Sequence, residues 1–150
     1  MIGNGIKCIL LSCVIILCFL TEGEVFAANN DFYDSSNFSN IFGPMWNNTT
    51  SVQVNLSFDG SKAICGACVI GKASTTKITG TAILARKNSD GTYTSVKTWS
   101  NLKTTDNMLI FDKTYYVPTG YTYRLTITSK VYKNSKYETV TGYHEANAPK

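Results

Sequence analysis

Between residues 121 and 128 the chain alternates without a break. Tyr121, Tyr123, Leu125 and Ile127 are apolar or aromatic, and Thr122, Arg124, Thr126 and Thr128 are polar. Successive side chains of a β-strand point to opposite faces, so this period of two marks a strand with one face in a core and the other in water. The same period recurs at Val52, Val54, Leu56 and Phe58, set against Gln53, Asn55 and Ser57. A chain that repeats this pattern and shows no helical period after residue 27 has to bury its apolar faces by packing sheet on sheet.

Turn signals divide the rest. Asp59-Gly60 leads into a strand over residues 62–70, and residues 71–75 turn the chain into a third strand over 76–86, with Ile78, Ala82 and Leu84 inward. Asn88-Ser89-Asp90-Gly91 is a hairpin connection, because glycine supplies the positive φ that such loops need. A fourth strand follows over residues 93–99 and a fifth over 107–113. In the fifth both Met108/Ile110 and Leu109/Phe111 are apolar, which predicts a strand covered on both sides. Asn134-Ser135 closes a last hairpin between Val131-Tyr132 and residues 137–143. About eight short strands at regular spacing predict an all-β, antiparallel two-sheet β-sandwich. The corner Val117-Pro118-Thr119-Gly120 followed by Tyr121-Thr122-Tyr123 resembles the tyrosine corner of immunoglobulin-like sandwiches. No inter-sheet cysteine pair accompanies it, so a jelly roll or another two-sheet arrangement stays as the rival topology.

The first 27 residues read as a secretory signal. Lys7 is followed by an apolar run over residues 8–20, too short for a helix across a hydrocarbon core, which needs about 20 residues. Val25-Phe26-Ala27 fits signal-peptidase pockets, and cleavage is expected after Ala27. An uncleaved anchor and lipidation at Cys13 are the rivals. Secretion would leave a polar N-terminal arm at 28–50 and a β-sandwich domain at 51–150. The arm holds six asparagines and the aromatics Phe32, Tyr33, Phe38, Phe42 and Trp46. Glycosylation sequons stand at Asn37, Asn47, Asn48 and Asn55 and matter only in a glycosylating host.

Export changes what the composition says. The chain has 14 Lys plus Arg and 10 Asp plus Glu; losing Lys7, Glu22 and Glu24 leaves 13 against 8, a net charge of +5. The cations are scattered singly, which argues against a nucleic-acid face and leaves a loose affinity for anionic surfaces. Membrane contact is expected only in passing, during export. Of five cysteines, Cys65 and Cys68 remain. In an extended strand, residues three apart face opposite ways at roughly 10 Å, beyond disulfide reach. They bridge only if Gly66 makes a bulge; otherwise they are buried free thiols. Both readings stand at this point.

Together Lys62-Ala63, Gly71-Lys72, Thr76-Lys77-Ile78-Thr79-Gly80-Thr81, Asp90-Gly91-Thr92-Tyr93, Trp99, Tyr121-Thr122-Tyr123-Arg124-Leu125 and Glu138-Thr139-Val140-Thr141-Gly142-Tyr143 form a set. It resembles a group of small secreted proteins of unknown function from clostridial-type Gram-positive bacteria. The resemblance spans residues 52–143 and implies an exported bacterial β domain, with no catalytic residues to carry over.

Function is constrained mainly by exclusion. One histidine, His144, and eight scattered acids in the exported chain supply neither a nucleophile with its base nor a pair of facing carboxylates, so no catalytic residue, cofactor or metal ligand is predicted. Asp59 and Asp90 are explained by their turns. Seven of nine tyrosines lie between Tyr115 and Tyr143, where alternate rings must face solvent. The expectation is a secreted, non-catalytic binding module for a cell-wall glycan or another extracellular protein, with Trp46, Trp99 and Tyr116 as candidate ligand-stacking residues. The alternative is a small secreted effector, a bacteriocin-like antimicrobial or an inhibitor.

Overall fold

The computed structural model describes residues 39–41 and 46–150. The expected signal segment lies outside the described residues, as do Phe32, Tyr33, Phe38 and Phe42 and the sequon asparagine Asn37. The described chain is all strand and turn. Its elements are β1 (Ser39–Ile41), β2 (Thr49–Asp59), β3 (Lys62–Gly71), β4 (Lys77–Lys87), β5 (Tyr93–Thr104), β6 (Met108–Tyr116), β7 (Thr122–Lys133) and β8 (Lys136–Asn147). They form two antiparallel sheets, ordered β1-β2-β3-β6 and β5-β4-β7-β8.

This order gives the topology. Consecutive hairpins β2–β3, β4–β5 and β7–β8 stay within a sheet, whereas the connections at residues 72–76, 105–107 and 117–121 change sheets. With β2, β3, β4, β5, β6, β7 and β8 taken as strands A, B, C, C′, E, F and G, the sheets are ABE and C′CFG, an immunoglobulin-like arrangement. The tyrosine corner is present. Tyr123, fully buried, donates its hydroxyl hydrogen to the Pro118 carbonyl oxygen at 2.7 Å, and Gly120 turns the chain at φ +77°. The hydroxyl ties the last sheet crossing to the first buried residue of β7.

The inward positions of the alternating strands make the core. Val52, Val54 and Leu56 face Ile78, Ala82, Leu84, Leu125, Ile127 and Val131 across the sandwich, all at most 1% exposed. Two open seams between the sheets are closed differently. At β5 and β6, Trp99 packs edge-on against Phe111 at 5.2 Å and Tyr115 at 6.2 Å, and the Lys97 ammonium lies over the Tyr115 ring. At β2 and β8 the closure is polar. β1 pairs only with residues 52–54 of β2, so the next outward amide, that of Leu56, needs another acceptor; His144 Nδ1 takes it at 3.0 Å. Further along, the Glu138 carboxylate accepts from the amides of Asn47 (2.9 Å) and Asn48 (2.7 Å) and from the Thr49 hydroxyl (2.7 Å).

This polar seam carries a pH dependence. An accepting Nδ1 requires neutral His144, and burial holds its pKa below the ordinary 6.5. Burial works to raise Glu138, but the Thr49 hydroxyl and the Asn48 and Asn47 amides outweigh it and hold the carboxyl below the ordinary 4.5. The Glu145 carboxyl is also held low. For all three groups the unfolded chain takes up the proton first, so stability falls as pH falls. Urea midpoints are expected to be level above pH 6.5, to decline below it as His144 contributes, and to decline further below 4.5. His144→Gln is expected to remove the first decline and leave the second; a wild-type midpoint level from pH 7 to 5 contradicts this assignment.

Several expectations are revised. β6 is an edge strand covered on one side only: Leu109 and Phe111 are buried, but Met108 is 40% and Ile110 49% exposed. An apolar run on both faces does not require cover on both faces; here Asp112 and Lys113 guard the open edge instead. The fourth strand continues past Trp99 to Thr104, and the alternating segment over residues 121–128 runs on through Val131-Tyr132 as one β7 into the last hairpin. Three residues of the expected arm, Ser39–Ile41, pair with β2 as an added edge strand, and β2 itself begins at Thr49.

Candidate functional site

The residues singled out from sequence do not share a surface. Trp46 is half-buried against the core, beside the end of β2 that pairs with Gly71, and its carbonyl accepts from Lys72 Nζ at 3.1 Å. Tyr116 is 70% exposed and pairs with Lys62, at the far end of the same sheet. Nine residue steps of β3 separate those ends, about 30 Å. Trp99 is occupied in the β5–β6 seam. Trp46 and Trp99 thus have structural places against the core, and Tyr116 alone stands in solvent.

The two cysteines are free thiols. β3 pairs with β2 and β6 without a bulge from Lys62 to Ile70, so Cys65 and Cys68 point to opposite faces, as an extended strand requires. Cys65 sits in the core opposite Leu56; burial, and then the charge of Asp112, push its thiol up to about 12. Burial also raises the Cys68 thiol. Neither is poised as a nucleophile. Among the described residues no cluster of three or more His, Cys, Asp or Glu is placed to hold a metal.

A different surface is assembled by the second sheet. Its four strands present their polar positions on one outer face, in rows set by the register. One row is Lys103, Thr79, Lys130 and Thr139; the next is Thr81, Thr128 and Thr141. The Thr128 and Thr141 hydroxyls lie 3.2 Å apart. In β5, opposite Thr81, the register slips: Leu102 pairs with Gly80 and Trp99 with Ala82, so Ser100 and Asn101 together oppose one residue. This is a β-bulge, and Asn101 takes φ +61° to make it. Between the bulge and the side chains of β7 lies an open groove of ≈ 440 Å³, floored by threonine hydroxyls and lined by Asn101, Lys103, Lys130 and Tyr132.

Two cation–aromatic stacks flank the rows. At one end the Lys77 ammonium lies 4.1 Å from the centre of the Tyr132 ring, Tyr132 packs on Tyr137 at 5.2 Å, and Lys130 lies over Tyr137 at 4.6 Å. At the other, the Arg124 guanidinium is held between Tyr93 at 3.9 Å and Tyr143 at 4.6 Å. It also donates to Glu145 through Nε at 2.8 Å and through Nη2. The Tyr93 hydroxyl is enclosed without a hydrogen bond of regular geometry; its proximity, followed by the Arg124 guanidinium, holds the Glu145 carboxyl low. Lys87 stands 3.9 Å from Glu145. Ring faces orient cations at about 0.5–1 kcal/mol each in exposed positions without neutralising them, whereas Glu145 neutralises Arg124.

Hydroxyls and ammoniums offer hydrogen bonds, and the Tyr137 and Tyr143 rings, 51% and 49% exposed, offer flat apolar contact. No protein family, characterised protein or solved structure matches this chain. Sequence reasoning missed the face because its rows join residues as far apart as Thr79 and Thr139. The polar half of the β7 alternation marked the strand's outer side, but only strand order reveals what stands beside it.

Proposed function

We propose that the chain is a secreted, non-catalytic binding module whose ligand is a linear glycan of the bacterial cell wall, held on the outer face of the β5-β4-β7-β8 sheet. The observation that carries this reading is the groove of ≈ 440 Å³ over a threonine floor, lined by Tyr132, on which the exposed Tyr137 ring packs. Sugars present hydroxyl edges and apolar ring faces, and this surface offers partners for both. The export signal read at residues 1–27 supports a location outside the cytoplasm, where wall polymer is found. The likeness to small exported proteins of clostridial-type bacteria agrees with that location.

Cosedimentation with purified Gram-positive cell walls tests the reading. Wild-type protein is expected in the pellet, and Thr128→Ala combined with Tyr137→Ala is expected to move most of it to the supernatant. Both side chains are exposed, so folding should be spared. Equal sedimentation of the double variant and the wild type, or no sedimentation of either, contradicts the proposal.

A further inference from the structure

The groove's charge narrows the ligand. Five cations stand on the outer face of the second sheet: Lys77, Lys87, Lys103, Arg124 and Lys130. The single acid in its rows is Glu145, and it is engaged by Arg124 and Lys87. Lys77, Lys103 and Lys130 therefore have no carboxylate partner among the described residues. All three belong to the end of the face where the groove lies. Lys103 and Lys130 are in one row, both directly opposite Thr79, and both line the groove; Lys77 lies over Tyr132, which lines it too.

Unopposed ammoniums in a group raise one another's electrostatic energy, and an exposed surface ordinarily intersperses the two signs. Here the signs are sorted along one face, with the neutralised cation at one end and the unneutralised three at the other. The rings under Lys77 and Lys130 hold two of these ammoniums in place without discharging them. Lys103 and Lys130 flank Thr79 from the strands on either side of β4, two strand spacings or about 9.6 Å apart, and Lys77, two residues along β4, lies about 8 Å diagonally from each, so the three form a compact track for several charges of one polymer. The threonine hydroxyls beside them donate to the same oxygens.

We infer that the groove binds a polyanionic glycan, a linear sugar chain carrying carboxylate, sulfate or phosphate groups, with Lys103 and Lys130 contacting the anions and Lys77 extending the track. This inference rests on the glycan-binding reading and names the class of its ligand. A neutral sugar would leave three ammoniums without a counter-charge and gain little from them.

Affinity electrophoresis through gels holding dextran sulfate, polygalacturonate or unmodified dextran tests it. The two anionic polymers supply sulfate and carboxylate as separate arms, and dextran supplies the uncharged backbone. Retardation is expected in one or both anionic gels and not in dextran. Lys103→Ala with Lys130→Ala is expected to weaken it roughly three- to tenfold, because each substitution removes one exposed ion pair with the polymer. Lys62→Ala with Lys113→Ala removes the same charge from the other sheet and is expected to leave retardation within about twofold of the wild type. Equal weakening by both pairs means attraction to net charge alone and overturns the inference. Retardation by dextran as strong as by dextran sulfate, or by no polymer, overturns it as well. The wall-sedimentation result then separates the cases: wall binding that survives the Lys103/Lys130 pair keeps the glycan-binding reading and discards the anion, while absent wall binding discards both.

Discussion

Tyr123→Ala is expected to lower the unfolding free energy by about 4 kcal/mol, and Tyr123→Phe by about 1 kcal/mol, in urea denaturation at neutral pH. The first removes a fully buried ring that packs on Phe58 at 5.6 Å and leaves a cavity between the sheets. The second keeps the ring and removes only the bond from its hydroxyl to the Pro118 carbonyl. Pro118 is exposed, so water can replace the lost donor, and the smaller figure follows. The difference between the two variants separates the corner's hydrogen bond from the core's packing. If Tyr123→Phe cost as much as Tyr123→Ala, the hydroxyl and not the ring would be holding the β6–β7 crossing.

Gly80→Val is expected to cost about 3 kcal/mol by overpacking. A Cβ at this position would stand 2.7 Å from Ser129 Oγ, 3.3 Å from Leu109 Cδ2 and 3.3 Å from the Thr128 carbonyl oxygen. The inward side of β4 is closed there by β7 beside it and by β6 across the sandwich, and only a hydrogen fits. Ser129 is 1% exposed and its hydroxyl has no hydrogen-bond partner. Ser129→Ala alone is thus expected to be neutral or stabilising by about 1 kcal/mol. It should also relieve part of the cost of Gly80→Ala, because the two residues compete for one space. Additive effects in that double-mutant cycle would show that Leu109 and the backbone, not Ser129, set the limit at Gly80.

How far the architecture was legible depends on what each feature needs. Alternation alone located β2 and β7, because one buried face leaves a period of two whatever the partner strand, whereas β3, buried at five consecutive positions, was placed by the Asp59-Gly60 turn before it. The turns at Gly60, Gly91 and Gly120 were legible through their glycines, which take φ of +57°, +83° and +77°. The parity of Cys65 and Cys68 likewise followed from an extended strand, once nothing interrupted β3. The bulge at Asn101 left no such mark. Asparagine tolerates positive φ without demanding it, so nothing in the sequence carried the strand past Trp99. Met108 and Ile110 misled for a related reason: two apolar faces mean a strand covered on both sides only if another layer lies over the second face, and among the described residues the outer face of β6 stays exposed at both.

The candidate site was the least legible part. Trp46, Trp99 and Tyr116 are residue types that stack on ligands, and the fold gives two of them half-buried places against the core. The groove instead draws on lysine and threonine, types that any exposed strand carries. What distinguishes them is juxtaposition: Lys103 and Lys130 flank Thr79 only because β5 and β7 both pair with β4. Charge counted along the chain looked scattered for the same reason. Charge counted across the sheet is sorted.

The claim that this face is the binding surface is tested most directly by titrating isotope-labelled protein with sulfated dextran oligosaccharides and following its backbone amide signals. The account predicts that the largest shifts fall on Thr79, Thr81, Asn101, Lys103, Lys130 and Tyr132, with the β2-β3-β6 sheet little changed. Shifts concentrated instead around Met108, Ile110 and Tyr116, or spread evenly over the lysines of both sheets, would contradict it.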